Sequence, residues 1–355
     1  MTSRERVRRA LDREPTDRAP VDWWGTPEAE AAVRARLGAD FEQMLKALGV
    51  DLRYVTPKYA GPPLPRYPDG SWEDVWRVRR APVRAGGGSY DEVVCSPLAD
   101  CDDEAGLEAW SWPSADWYDC AGVRAECERH AGYAIVLGGD RLNRTTFLHL
   151  AMYLRGMEQG FLDIAERPKF VRRLFEKVGA FFLEMNRRMF EAVEGRADIF
   201  LMGDDFGTQR GLLISPAAWR DLIAPHLAAQ CALAHRHGLR VMHHSCGAIR
   251  ELIPDLIEVG VDILNPVQVR AAGMNPVELK RDFGDRLCFH GGVDVQQTLP
   301  RGTPAAVRAE TAERIRVLGD GGGYILAPTH NFQWDVPVDN ILAMYAEAGS
   351  YGENA

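Results

Sequence analysis

A histidine and a cysteine two residues apart are the side chains of this sequence best suited to bind a metal. They lie in the run 241–247 (Val-Met-His-His-Ser-Cys-Gly), at the end of an apolar segment. A neutral imidazole and a thiolate can together bind a borderline-soft cation such as zinc. In an extended chain His244 and Cys246 point to one face and Ser245 to the other. The alternative is a core histidine beside a buried cysteine, and a third ligand would decide between them.

Composition and charge exclude several classes of protein. The chain has 355 residues, of which 46% are hydrophobic and 26% charged, as is typical of a soluble globular enzyme. Its net charge of −9 argues against a basic nucleic-acid-binding face. We expect no membrane span and, because residues 1–6 show no apolar signal region, a cytoplasmic location. The seven cysteines are expected to be buried thiols or ligands and not a disulfide framework.

Apolar segments alternate with helical patterns along most of the chain, which predicts parallel strands joined by right-handed crossovers. Eight strands fit a (β/α)8 TIM barrel in one domain covering 1–355, with an open doubly wound sheet as the alternative. The stretch 57–118, rich in Pro, Gly and Trp, is predicted to be an inserted hairpin or a lid. The predicted strands are 19–24, 51–56, 133–139, 197–203, 239–244, 261–265, 286–291 and 323–328.

Coordinating residues follow several of these strands, where barrel enzymes carry their reactive groups. His330 follows the last strand and could join His244 and Cys246 as a third ligand, which leaves an open position as in catalytic zinc sites. Asp204 and Asp205 could ligate metal, act as general acid or base, or hold substrate. They could also cap a helix, although Ser215 already fits that position. Because adjacent side chains point apart, we expect only one of the two to face the pocket.

Other strand-end residues are candidates for binding substrate or taking part in catalysis. His290 could contact substrate at the rim of the barrel, or could be a hydrogen-bonded core histidine. His243 is expected to face the helices and to be structural. The remaining strand-end candidates, predicted to bind substrate, are Trp24, Asn265, Gln268 and Gln333.

The sequence resembles the uroporphyrinogen decarboxylase superfamily, and within it the cobalamin-dependent methyltransferase branch. This resemblance implies a (β/α)8 barrel with zinc at the C-terminal mouth, bound by His-x-Cys and a cysteine after the last strand. His244 and Cys246 match the first two ligands, and His330 takes the position of that cysteine. The similar stretches are 244–247, 260–268, 289–296 and 322–328, together with 4–22 and 203–209.

The substrate-binding segment of true porphyrinogen decarboxylases is missing here. Those enzymes carry Arg-Gln-Ala-Gly-Arg near the N-terminus, whereas this chain reads Asp-Trp-Trp-Gly-Thr-Pro at 22–27. A cleft for a highly carboxylated tetrapyrrole should be strongly basic. Porphyrinogen decarboxylation is therefore not the expected activity.

The resemblance implies a zinc-dependent methyltransferase that works with a corrinoid, carried by a separate small protein. The other substrate would be a small methoxy compound or a thiol, and His330 in place of a thiolate favours O-demethylation because it makes zinc a stronger Lewis acid. Asp204 or Asp205 would handle the proton or orient a ligand. The alternatives are a metal-free decarboxylase or lyase that uses Asp205, and a non-catalytic barrel that binds a corrinoid or tetrapyrrole.

Overall fold

The computed structural model describes residues 1–139 and 144–349. The N-terminal part consists of α1 (Ser3–Leu11), α2 (Pro27–Leu37), α3 (Phe41–Ala47) and β1 (Leu52–Val55). The segment that follows consists mainly of short strands, namely β2 (Lys58–Tyr59), β3 (Trp72–Glu73), β4 (Arg79–Ala85), β5 (Gly88–Cys95), α4 (Glu104–Ala109), a 3-10 turn (Ala115–Trp117) and β6 (Tyr118–Asp119).

From residue 120 onward helices and strands alternate. The first half of this region contains α5 (Cys120–Arg129), β7 (Ala134–Leu137), α6 (Leu148–Arg155), α7 (Met157–Glu166), α8 (Pro168–Val193), β8 (Ile199–Gly203), α9 (Pro216–Leu222), α10 (Ala224–Arg236) and β9 (Arg240–His244). The second half contains a 3-10 turn (Arg250–Leu252), α11 (Ile253–Glu258), β10 (Ile263–Val267), α12 (Pro276–Phe283), β11 (Cys288–Val293), α13 (Thr298–Arg301), α14 (Pro304–Leu318), β12 (Tyr324–Pro328) and α15 (Val338–Glu347).

Seven strands form one parallel sheet in the order β1-β7-β8-β9-β10-β11-β12. The five strands β7, β8, β10, β11 and β12 are buried at every position, as expected where a parallel sheet is covered on both faces. Consecutive strands are neighbours in the sheet, which is the arrangement of a barrel and not of a doubly wound sheet. The predicted α/β TIM-barrel fold is confirmed.

The two edges of the sheet meet on a short N-terminal segment. The Asp22 N–H donates to the Leu326 carbonyl of β12 at 3.0 Å, and the Asp51 N–H, just before β1, donates to the Val21 carbonyl at 2.9 Å. The predicted first strand at 19–24 is therefore only a single bridge, Val21 with Leu326, and not a regular strand. Pro20 has no N–H, and the Val21 N–H donates to the Asp51 carboxylate instead of to a strand. We call residues 20–22 the seam.

Two apolar clusters lie on the two faces of this sheet. The inner one fills the bottom of the barrel with one or two residues from each strand, and Val7 and Leu11 of α1 close it from below. The outer one lies between the strands and the surrounding helices. The strand residues of the inner cluster are Leu52, Ala134, Val136, Ile199, Leu201, Met242, Ile263, Cys288 and Ile325.

The predicted insertion contains an antiparallel hairpin of β4 and β5, with β3 at its edge. Trp76 attaches it to α8, with its ring 4.9 Å from the ring of Phe181 and 5.6 Å from that of Phe182. At its other end, Tyr90 donates a hydrogen bond to the Gln333 side chain beyond β12. The hairpin thus lies beside the C-terminal end of the barrel. Within the described residues, no helix has the length and apolar content needed to cross a lipid bilayer.

Candidate metal centre

A polar layer lies directly above the apolar bottom of the barrel. Strand side chains alternate between the two faces, so residues two positions beyond the inner cluster also point inward. These residues include Tyr54, His244, Asn265 and His290, and the last three are at most 3% exposed. The same alternation sends His243 outward, where its ring stacks 5.3 Å from that of Phe206. The period of the strands therefore decides which of the two adjacent histidines belongs to the site.

Three potential ligand atoms converge at this layer. Asp205, His244 and Cys246 each offer one atom, and these atoms lie within 4.8 Å of one another. His244 Nε2 is 3.5 Å from Cys246 Sγ and 3.4 Å from Asp205 Oδ1. The Cys246 N–H also donates to Asp205 Oδ1 at 2.7 Å. Imidazole nitrogen, thiolate sulfur and carboxylate oxygen are the donors that bind zinc in proteins, so the residues fit this metal.

A chain of hydrogen bonds fixes the tautomer of His244. His290 Nε2 is 2.9 Å from Asp22 Oδ2, and because a carboxylate only accepts, Nε2 donates. The Asn265 Nδ2 group only donates and lies 2.6 Å from His290 Nδ1, so Nδ1 accepts. The Asn265 Oδ1 is then turned to His244 Nδ1, at 2.6 Å, and accepts its proton. The lone pair of His244 Nε2 is left to point at Cys246 and Asp205, as a metal ligand requires.

The protonation states follow from burial and from neighbouring charges. Burial lowers the pKa of His244 to about 4, so this imidazole is neutral at pH 7. Burial raises the pKa of Cys246 well above the usual value of a thiol, and the Asp205 charge acts in the same direction. Burial also raises the pKa of Asp205, but the proton that His244 carries below about pH 4, together with His149 and the Cys246 N–H, outweighs it and holds that pKa far below its usual range. The site thus holds one ionised carboxylate, one neutral imidazole and one protonated thiol.

The two adjacent aspartates have different surroundings, as the alternation predicts. Asp204 is fully buried and accepts the hydroxyl of Thr146 and the N–H groups of residues 147, 148 and 149 at the start of α6. An acceptor at this place satisfies the free N–H groups of a helix and complements its dipole. Asp205 is the one that reaches the ligand group. Ser215 caps α9, as the sequence predicts.

The other predicted site residues surround this group at different distances. The Trp24 ring stacks on that of His244, 5.4 Å away and 10° from parallel. The His330 ring meets His244 edge-on at 6.3 Å, so it lies beside the compact group of three. Gln268 accepts from the Gly247 N–H at 2.6 Å and thereby fixes the turn after Cys246. Gln333 holds the inserted hairpin through Tyr90.

Three residues of the site, His149, Asp22 and Tyr54, have no counterpart in the sequence-based prediction. His149 lies with Nε2 3.6 Å from Asp205 Oδ2 and its ring parallel to that of Tyr153. Asp22 accepts from Tyr54, from the Trp24 indole at 3.1 Å and from His290. The sequence could have indicated Asp22, because it lies two residues before Trp24, which was predicted to belong to the site. Nothing in the sequence around His149 marks it, because it enters the site only through the cap that Asp204 makes.

Gly203 allows β8 to approach His244 closely. A Cβ at this position would lie 2.3 Å from the His244 carbonyl oxygen and 2.6 Å from its Cβ. We expect Gly203→Ala to displace His244, to weaken zinc binding and to cost about 1–3 kcal/mol of unfolding free energy. Zinc titration and urea unfolding measure both effects. Gly132→Ala is the matched control because open space surrounds that glycine, and equal effects in the two variants would contradict the steric account.

Comparison with known proteins supports the fold and establishes the family. Residues 147–351, more than half of the chain, match the uroporphyrinogen decarboxylase (URO-D) family. No curated protein matches the sequence. A methyltransferase from Methanosarcina mazei superposes with a TM-score of 0.69 and 18% identity over 98% of both chains. The 3-keto-D-glucoside 4-epimerase of E. coli reaches a TM-score of only 0.36 at 12% identity, over 65% of this chain and 92% of its own. The chain belongs to the uroporphyrinogen decarboxylase family.

Proposed function

We propose that this protein is a zinc-dependent methyltransferase that moves a methyl group between a small methoxy or thiol substrate and a corrinoid on a partner protein. The observation that carries the proposal is the lone pair of His244 Nε2, which points at Cys246 and Asp205 at the mouth of the barrel. Family membership and the full-length likeness to a protein named methyltransferase support the same activity.

The ligands of the zinc ion would be His244, Cys246 and Asp205, with His330 beside them. One thiolate and one carboxylate balance the charge of Zn²⁺, which favours its binding in a buried site. When bound, zinc would polarise the substrate heteroatom and stabilise the negative charge that forms on it as the methyl group leaves. Trp24 covers one face of His244 and excludes water from that side. O-demethylation is the direction that we favour, because His330 stands where the family resemblance places a second sulfur ligand beside Cys246.

Proton transfer in this direction would involve His149. The corrinoid of the partner protein would accept the methyl group and supply the electron pair of the new bond, and the substrate oxygen would keep the pair of the broken bond. That oxygen then needs a proton. His149 is 24% exposed and contacts Asp205, so it connects the ligand group with solvent. Asp205 itself stays ionised because its pKa is low, which makes it a poor general acid for a metal-free lyase.

The first test measures metal and methyl transfer together. We expect the purified protein to bind about one zinc per chain and, with zinc, to demethylate a methoxy substrate in the presence of cob(I)alamin. Cys246→Ser should lose most of both properties because a hydroxyl is a poor zinc ligand. Cys95→Ser is the control, since Cys95 is an exposed cysteine of the inserted hairpin. A zinc-free protein that stays fully active after exhaustive treatment with chelator would overturn the proposal.

Zinc binding should release about one proton per site at pH 7. His244 is already neutral with a pKa of about 4, and Asp205 is already ionised, so only Cys246 has a proton to lose. The metal-free site therefore binds one proton more than the loaded site, and zinc affinity should rise roughly tenfold per pH unit between about pH 5 and pH 8. Calorimetric titrations in buffers of different ionisation enthalpy count the proton. Cys246→Ser should release none, and release of two protons would contradict these protonation states.

A further inference from the structure

One buried arginine at the mouth of the barrel has no ion-pair partner within the described residues. Five arginines are buried in the part of the chain that the structure describes, namely Arg6, Arg53, Arg80, Arg144 and Arg155. Arg144 is 6% exposed, and its Nε is buried without a hydrogen-bond partner. The other four pair with carboxylates, namely Asp17 and Asp51, Glu42, Asp74 and Asp163. A buried guanidinium without a counter-charge is costly for the fold, so it points to a partner that arrives from outside.

Arg144 lies close to the candidate metal centre in the fold. The next residue, Thr145, forms a parallel bridge with Met202, and its carbonyl accepts from the Gly203 N–H at 2.9 Å. Gly203 pairs in turn with His244. Arg144 thus lies at the same end of the barrel as the ligand group. Its charge acts on two of the three candidate ligands, since it adds to the effect of burial on the pKa of His244 and opposes the effect of burial on the pKa of Cys246.

We propose that Arg144 binds a carboxylate, or a similar anionic oxygen group, of the substrate. Guanidinium is the side chain whose planar set of donors matches such a group, and burial strengthens the pair. This inference rests on the proposed function and names its substrate class, a small acid that carries the methoxy or thiol group. The anionic end binds Arg144, and the heteroatom then lies at His244, Cys246 and Asp205.

If Arg144 binds a substrate anion, replacing it should have opposite effects on the stability of the ligand-free protein and on the binding of the anion. Without ligand, the unpaired charge destabilises the fold, so Arg144→Gln is expected to raise the melting temperature by a few degrees (about 2–4 °C). With an anionic ligand, the same variant should bind more weakly. A residue that only supports the fold would lower the melting temperature when it is replaced. This sign separates a binding role from a structural one.

The test compares an acid with its neutral counterpart. Calorimetry measures the binding of methoxyacetate and of 2-methoxyacetamide to the zinc-loaded and the metal-free protein. We expect the acid to bind at least about tenfold more tightly in both forms, because its partner is Arg144 and not the metal. Arg144→Gln should abolish this preference and Arg144→Lys should keep part of it. Arg286→Gln, which removes an exposed charge just before β11, should change nothing.

Equal or undetectable binding of the two compounds to the unmodified protein would overturn the inference. A preference for the acid that survives in Arg144→Gln, or that vanishes when zinc is removed, would do so as well. Other outcomes would contradict the proposed function without contradicting the anion site. If the acid preference holds but no methyl group reaches the corrinoid, or if carbon dioxide is released instead, the anion site stands and the methyl-transfer proposal does not. If neutral methoxy compounds react as fast as acids, only the anion site fails.

Discussion

Replacing His244 with alanine is expected to remove zinc from the protein and to slow methyl transfer about a thousandfold, equivalent to about 4 kcal/mol of activation free energy. His244 Nε2 is the nitrogen that faces both Cys246 and Asp205, and its lone pair is oriented by Asn265. Without it the remaining thiol and carboxylate cannot complete a zinc site of three protein ligands. Metal analysis of the purified variant and its rate of demethylation measure the two losses.

The neighbouring histidine provides a matched control for this experiment. His243 lies on the opposite face of β9, is fully buried, and has no hydrogen-bond partner for either ring nitrogen within the described part of the chain. His243→Leu should therefore keep its zinc and its activity, because it replaces an unpaired polar ring by an apolar side chain. If His244→Ala retained one zinc per chain, or if His243→Leu lost it, the alternation that assigns the ligand would be wrong.

Asn265→Leu is expected to have the second largest effect. Its amide accepts from His244 and donates to His290, both at 2.6 Å, inside a layer with almost no solvent. Leucine is similar in size and leaves the Nδ1 atoms of both rings without a partner, which should cost about 2–4 kcal/mol of unfolding free energy in the metal-free protein. The substitution also removes the acceptor that keeps the His244 proton on Nδ1, so zinc affinity should fall by about 10–100-fold.

Urea unfolding and zinc competition with a chromophoric chelator measure these two effects. Asp22→Asn serves as a graded comparison, because it leaves Asn265 in place and changes the far end of the hydrogen-bond chain, where Asp22 accepts from His290, Tyr54 and Trp24. An asparagine there can still accept through its oxygen, so we expect a loss of zinc affinity of no more than about tenfold. Unchanged affinity in Asn265→Leu would show that the chain of hydrogen bonds does not orient the ligand.

The period of the strands made it predictable that His244 and Cys246 lie close together on one face, and the same rule separated His243 from His244. The position of Asp205 followed from the argument that adjacent side chains point apart, although the sequence could not tell which of the two aspartates faces the site. That choice depends on α6, whose N–H groups take up the Asp204 carboxylate. Such a tertiary cap has no local signature.

Other parts of the site depend on contacts between distant segments. Asp22 and His290 are 268 positions apart, and neither local pattern specifies the other. Arg144 belongs to a connection after β7, where no periodicity exists that could indicate its burial. The predicted strand at 19–24 failed for a local reason that the sequence does contain, since Pro20 cannot donate to a ladder. The resemblance to a family supplied the remaining expectations, and the family is confirmed.

The seam has a consequence for the order of events during folding. Asp22 bonds to Leu326, and Trp24 to Phe332, so the segment that carries two residues of the site closes on the last strand of the sheet. Contacts between residues this far apart in sequence form late, because a long loop must close first. During synthesis β12 is made after all the strands that carry the candidate ligands. We therefore expect a nascent chain that stops short of β12 to lack the complete site and to hold zinc weakly.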